Sequence, residues 1–365
     1  MRARLLLPFL LFVLGGFLYP LFTLHAQEFI PDKVTTMKAR VVEILESKEK
    51  TLPGTDTRTL FQTLRVEIIK GEEEGKILTL PNDYLALEVG QKFYLTHTSN
   101  PLDGSDWYAV SEPDRLPALY FFFGLFILTI LFFGGKQGIR GFLALVMSIL
   151  FILYILLPGI LHGYSPLLVA IGTATLIIVI GSYVTHGVNR TTTAAVMGMI
   201  ATVIFTGILA FIAVKMTHLS GFANEEAVYL NFNTQGKIDF AGLLLGGILI
   251  GLLGVLYDAA IGQAAAVDEL AHAGAHLPRK TIFRKALRIG REHIGALINT
   301  LAIAYVGASL PLLLLYSMHT TDIAMTLNRE IFATEIIRAI VGSIGLILAV
   351  PITTLIATSM LVKKK

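Results

Sequence analysis

"FAGLLLGGILIGLLGVLYDAAIGQAAAVDEL" (residues 240–270) decides how the chain is read. Eighteen uncharged residues precede Asp258. At 1.5 Å per residue such a run nears the ~30 Å of a bilayer's hydrocarbon core. Then an acid appears, and residues 259–267 carry no charge again. The helix is therefore expected to continue about two turns past Asp258, leaving Asp258 and Gln263 flanked by apolar residues on both sides. An ionisable group at such a place either faces a partner, a cavity or water, or simply meets the lipid headgroups at the end of the span.

The rest of the composition agrees with a membrane chain. Of 365 residues, 54% are hydrophobic and 15% charged, and the mean hydropathy is +0.70. A soluble domain carries about 25% charged residues. The chain has no cysteine, which excludes disulfides, thiolate metal sites and cysteine nucleophiles. Residues 1–27 begin basic and turn apolar, as in a signal anchor or a signal peptide ending near Ala26.

Residues 28–115 have a different pattern. Alternating runs at 38–46, 58–69, 76–80, 91–97 and 106–112 are separated by turn-rich pieces such as "LPGTD" and "NPLDGSD". Period-two alternation bounded by Gly, Pro, Asn and Asp predicts five short strands, hence a small OB-like barrel or sandwich. No basic stripe interleaved with aromatics is present, so nucleic acid is not an expected partner.

Seven further apolar spans follow, at about 117–134, 141–160, 165–184, 192–214, 239–258, 294–316 and 333–361. The expected fold is a polytopic α-helical membrane protein of seven or eight transmembrane helices. It comprises a leader at 1–27, a β domain at 28–115 and a helical domain at 116–365 with a cytoplasmic loop at 259–293.

Basic residues set the expected orientation. Arg2 and Arg4, Lys136 and Arg140, His186 and Arg190, the run Arg279–Arg291, and Lys363–Lys365 fall in alternate connections. That predicts a cytoplasmic C-terminus, an extracytoplasmic β domain, and residence in a bacterial plasma (inner) membrane. The stretch "RKTIFRKALRIGR" (279–291) is explained by the same bias and by anionic lipid, without nucleic acid. Its apolar residues recur at helical spacing, so it is expected to lie partly in the interface plane.

Within the helices, Gly242/Gly246 and Gly247/Gly251 form small-xxx-small pairs. Such pairs let helix backbones approach closely, or leave a thin wall beside a substrate path. Arg291, Glu292 and His293 stand at the mouth of the span that contains Asn299, Thr300 and Tyr305. If that span packs against the preceding one, Asp258, Gln263, Asn299 and Thr300 come to similar depth, with Glu292 and His293 nearby. The group is a candidate solute or ion site, or else interhelical hydrogen-bond glue. Pro311 is expected to kink the span. Asp268, His272 and His276 recur every fourth residue, a weak candidate metal set. No GxSxG, P-loop or post-strand GxGxxG motif occurs, and no cofactor is expected.

The stretch "GLLGVLYDAAIGQAAAVDEL" followed by "LRIGREHIGALINTLAIAYVGASLPLLLLY", with "SEPDRLPALYFFFGLFILTILFFGGKQGIRG" before them, resembles the YibE/F-like family of bacterial membrane proteins. The resemblance covers residues 35–361. It implies a multi-pass protein, often presumed to be a permease, and matches Asp258, Gln263, Gly290, Glu292 and Asn299 to the family's pattern. It implies no substrate. Three functional readings follow. The first is a permease for a small solute or ion. The second is an envelope binding or assembly protein acting through residues 28–115. The third is a metal-dependent membrane enzyme. The expected surroundings are the lipid bilayer and, for some of these readings, further copies of the chain.

Overall fold

A computed structural model describes residues 33–51, 58–101, 104–318 and 322–362. The expected leader at 1–27 and the terminal lysines lie outside these residues. The chain divides between Phe126 and Ile127 into two compact units.

The first unit is a five-stranded antiparallel sheet. Its strands are β1 Lys33–Thr51, β2 Arg58–Lys70, β3 Ile77–Asn82, β4 Lys92–Ser99 and β5 Asp106–Pro113, in the order β3-β2-β1-β4-β5. Alternation explains why these residues form strands. Met37, Ala39 and Val41 on β1, Leu64, Val66 and Ile68 on β2, and Phe93 and Leu95 on β4 point inward and are buried. The edge strands β3 and β5 approach each other, so the sheet curls toward closure. A buried amide knot holds one wall. Gln62 Nε2 donates to Leu87 O at 3.0 Å, and Asn82 Nδ2 donates to Gln62 Oε1 at 2.9 Å.

The second unit is helical, and the helical run that leads into it begins at Leu116, within the first. A continuous helical run from Leu116 to Leu161 comprises α1 Leu116–Thr129, a π-helical turn Ile130–Gly134, α2 Gly135–Phe151, a second π-helical turn Ile152–Leu156 and α3 Leu157–Leu161. Two of the expected spans thus lie on one run of 46 residues. Then come α4 Pro166–His186, α5 Arg190–Met216, α6 Glu225–Asn233, α7 Phe240–Ala273, α8 Arg279–Ala308, α9 Leu310–Ser317, α10 Ile323–Asn328 and α11 Glu330–Leu361. Among the described residues five helices are long and apolar enough to cross a membrane, or six if the bent pair α8–α9 is one span.

α7 continues past Asp258 to Ala273, as its uncharged residues suggest, and Arg279–His293 is likewise helical, so within 259–293 only the connection at 274–278 is not helix. Ile282 and Ala286, expected at the membrane interface, are buried in the bundle core. The α8–α9 bend of 63° falls just before Pro311, whose ring displaces the preceding turn and supplies no N–H.

Small residues draw α5 and α11 together. Ala194, Gly198, Thr202, Thr206 and Ala210 recur every fourth residue on α5, as do Val341, Gly345, Ala349, Thr353 and Ala357 on α11. All ten are buried. A Cβ built on Gly198 would lie 2.3 Å from Thr353 Oγ1, and one on Gly345 would lie 2.4 Å from Thr206 Oγ1. The antiparallel pair therefore interlocks glycine against threonine at both points. The central helix α7 packs on α4, α5, α8 and α11.

One end of this bundle gathers the basic connections. Gln137 Nε2 donates to Thr185 O at 3.1 Å, and Thr191 Oγ1 donates to Asp268 Oδ2 at 2.8 Å. Lys136, Arg140, His186, Arg190 and the start of the run at Arg279 are therefore near that end. At the opposite end Glu330 clasps the loop before α6, accepting from Ser220 N and Gly221 N at 2.8 Å each.

Candidate functional site

The glycines of α7 divide between two faces. Gly242 and Gly246 are buried, and a Cβ on Gly246 would meet Ala170 Cβ at 3.2 Å and Pro166 O at 3.3 Å. These two serve close helix packing against α4. Gly247, Gly251, Gly254, Asp258, Gly262, Ala265 and Glu269 are exposed. Their steps of three or four residues place them on one stripe along the helix. A Cβ on Gly247, Gly254 or Gly262 would meet nothing within 4 Å.

Asp258 is in the half of this stripe nearer the end where the basic connections gather. Its flanks are α8 on one side, where Tyr305 Oη lies 3.3 Å from a Cβ built on Gly251, and α2 with α4 on the other, where Gly254 shares an apolar cavity with Ala144, Ser148 and Gly181. Antiparallel register brings Gln263 beside Ala286 and Gly251 beside Tyr305. Between those contacts, Asp258 is level with the stretch around Gly295, about one turn from Asn299. Gly295 also faces open space.

Gln263 belongs elsewhere. Five residues from Asp258, it is rotated by about 140° to another face. It is 4% exposed and joins three helices, donating from Nε2 to Ala286 O of α8 at 2.9 Å and to Thr354 Oγ1 of α11 at 2.7 Å. Gly290 makes room for it, since a Cβ there would meet Gln263 Oε1 at 2.6 Å and Val350 Cγ1 at 2.3 Å. The geometry of Gln263 is that of interhelical glue, not of a liner beside Asp258.

The other expected site residues are exposed. Thr300 Oγ1 donates within its own helix to Ala296 O at 3.0 Å. Among the described residues, the side chains of Asp258, Glu292, His293 and Asn299 make no hydrogen bond or ion pair. Asp268 is 3.3 Å from His272 Nδ1, whereas His276 lies past the end of α7 at Ala273. The helical spacing that would align His276 with the other two ends with the helix. Among the described residues no three His, Cys, Asp or Glu side chains converge as a metal site.

A second polar group sits near the opposite end of the bundle. Glu335 Oε1 lies 3.5 Å from Arg338 Nη2 on α11. Thr334 is 2% exposed, and neither its hydroxyl nor Arg338 Nε has a hydrogen-bond partner. These three line a cavity of about 300 Å³ together with Gly247, the first exposed glycine of the α7 stripe, and with Glu226 of α6. Tyr305 of α8 lies within the field of both Arg338 and Glu335. Sequence reasoning passed over Thr334, Glu335 and Arg338. The available signal was an acid and a base three residues apart inside an apolar run, "TEIIRAIV" (334–341).

In the sheet unit, a charged network crosses the open edge between β3 and β5. Lys76 Nζ donates to Glu73 Oε1 at 2.8 Å and to Tyr108 Oη at 2.9 Å, and Tyr108 Oη donates to Glu73 Oε2 at 2.9 Å. The Lys76 hydrogen bond holds the Glu73 carboxyl below the usual range. His97, stacked on the Tyr108 ring at 4.4 Å, does the same for Asp106 through a hydrogen bond of 2.9 Å.

No curated protein and no solved structure matches the chain. The family model described as "YibE/F-like protein" matches residues 122–363, which is more than half of the chain and takes in α7, α8 and α11. The long apolar helices and this match make the chain a helical membrane protein that belongs to the YibE/F-like family.

Proposed function

We propose that the protein is a permease-like component of the bacterial plasma membrane, and that its solute path follows the bare stripe of α7. One observation carries this reading. The central helix of the bundle carries Gly247, Gly254 and Gly262 on one exposed face, with nothing within 4 Å of a Cβ built on any of them, and Asp258 lies on that same face. A carboxylate facing lipid costs at least about 3 kcal/mol, whereas one facing a wet path costs little. Asp258 lies about 27 Å along the helix axis from Phe240, near the inner edge of the hydrocarbon layer. It acts as the cation- or proton-linked acid of the path, and Asn299, Glu292 and His293 flank the cytoplasmic mouth.

The gathering of basic connections at one end supports a cytoplasmic placement for that end and an extracytoplasmic β unit. Reading the Leu116–Leu161 run as two spans and α8–α9 as one gives seven, or eight with a leader span. The strand order, with β3 and β5 approaching, supports an OB-like barrel for the β unit.

Cysteine accessibility tests the path, since the chain has no native cysteine to interfere. Single cysteines at Gly247, Gly251, Gly254, Asp258 and Gly262 are expected to react with a membrane-impermeant maleimide in intact membranes. Cysteines at the buried Ile248 and Leu252 are expected to stay unlabelled. A stripe as silent as the buried positions would end the proposal.

A second reading has its own observation. Val34 and Trp107 flank Thr98 in one row across β1, β4 and β5, and they are 60% and 71% exposed. Such a row supports docking of an envelope protein by the β unit. On that reading Trp107→Ala abolishes function and Asp258→Asn leaves it intact, whereas the permease reading predicts the reverse.

A further inference from the structure

We infer that the cavity between α6, α7 and α11 binds a small amphoteric group, with an oxyanion and an ammonium a few bonds apart, as in free amino acids. The inference deepens the path reading, since Gly247 belongs both to this cavity and to the α7 stripe.

Thr334 is 2% exposed with an unpartnered hydroxyl, and Arg338 Nε is buried without an acceptor. Buried donors almost always find partners; those of Thr334 and Arg338 have none within the chain, and both residues line one cavity wall, where a small side-chain rearrangement would offer them to an acceptor from outside. Arg338 is the residue best suited to an oxyanion, and its contact with Glu335 at 3.5 Å is too long to saturate it.

Charge balance then narrows the class. Glu226 and Glu335 line the same cavity as Arg338, giving two acids to one base. A simple anion would satisfy Arg338 and Thr334 but add a further negative charge beside two carboxylates. A simple cation would satisfy the carboxylates but leave both donors idle. A group that carries both charges meets both halves. The volume, about 300 Å³, is at the small end of ligand pockets, which run from about 300 to 1,000 Å³. Two sources supply this chemistry: a free amino acid, and the headgroup of an ethanolamine phospholipid.

Calorimetry on the purified full-length chain tests the assignment. In detergent without lipid, the probes are the common L-amino acids, acetate and butyrate as anions, and methylamine and butylamine as cations. A parallel arm compares nanodiscs of phosphatidylethanolamine with nanodiscs of phosphatidylglycerol. At least one amino acid is expected to bind saturably and at least tenfold more tightly than any single-charge probe. If phosphatidylethanolamine nanodiscs alone abolish that binding, the headgroup shares the site. Thr334→Val removes only a hydroxyl and is expected to weaken binding several-fold. Arg338→Gln is expected to abolish it, with folding checked by size exclusion. The inference is overturned if no amphoteric probe binds in either arm, if acetate or methylamine binds as tightly, or if both variants bind like the parent. Its failure is separable from that of the path. A labelled stripe with no amphoteric binding leaves the path standing, and binding with a silent stripe leaves only the site.

Discussion

Gln263 and Asp258 are polar residues five positions apart on one helix, and packing gives them opposite roles. Gln263 turns inward and finds Ala286 O and Thr354 Oγ1, so its polarity is spent on holding three helices together. Asp258 turns outward and is exposed. Gln263→Leu is expected to lower stability in detergent by about 1–2 kcal/mol, from two lost hydrogen bonds at roughly 0.6–1 kcal/mol each. Gly290→Ala is expected to cost more, about 1–3 kcal/mol of overpacking, because its Cβ would run into Val350 and Gln263. Thermal unfolding followed by size exclusion ranks the two, and an unperturbed Gly290→Ala would mean the three-helix contact is looser than described. Asp258 and Gln263 look alike in the sequence because each interrupts an apolar run. Only the azimuth of the neighbours separates them.

Among helices, the pairing of α5 with α11 is set by residues too small to attract notice singly. Two four-residue ladders of Ala, Gly and Thr meet in antiparallel register, and the threonine side chains fill the space above the opposing glycines. Gly345→Ala is expected to destabilise the bundle by about 1–3 kcal/mol, since its Cβ would press on Thr206 Oγ1. Thr206→Ala in the same chain is expected to recover a large part of that loss, a coupling that a double-mutant cycle reads directly. Gly247→Ala, by contrast, meets nothing within 4 Å and is expected to change stability by less than about 0.5 kcal/mol. Sequence reasoning noticed the glycine pairs of α7 and missed the α5–α11 ladders, because threonine within a span does not announce itself as small. It anticipated the bend at Pro311, because proline acts on its own helix and needs no neighbour.

For the whole molecule, the two units meet water differently, and pH separates them. Glu73, Asp106 and Glu112 all have carboxyls held below their ordinary values, through hydrogen bonds to Lys76, His97 and Arg115 respectively. A depressed carboxyl contributes stability above its unfolded pKa and loses it as pH falls through the folded value. The β unit is therefore expected to loosen below about pH 4.5, the ordinary value for Glu73 and Glu112, with Asp106 following from 3.8 downward. Trp107, the sole tryptophan, sits beside Tyr108 on β5 and reports this by fluorescence. Tyr108→Phe removes the hydroxyl that links Glu73 to Lys76, and the acid transition is then expected to begin at higher pH. A fluorescence profile flat from pH 7 to 3 in both proteins would contradict the network.

The sequence by itself determined where the apolar helices and the five strands lie, because hydrophobic runs and period-two alternation are properties of neighbouring residues. Gly290, Gln263 and Asp258 could likewise be singled out, since each breaks its local pattern. The tertiary structure alone decided that Gln263 is covered and Asp258 is not. It also decided that His276 falls beyond a helix end, and that Thr334 and Arg338 share a cavity with Gly247 from a helix ninety residues earlier. A helix's periodicity fixes which residues share a face. What that face meets depends on the packing of distant segments, and local order does not encode it.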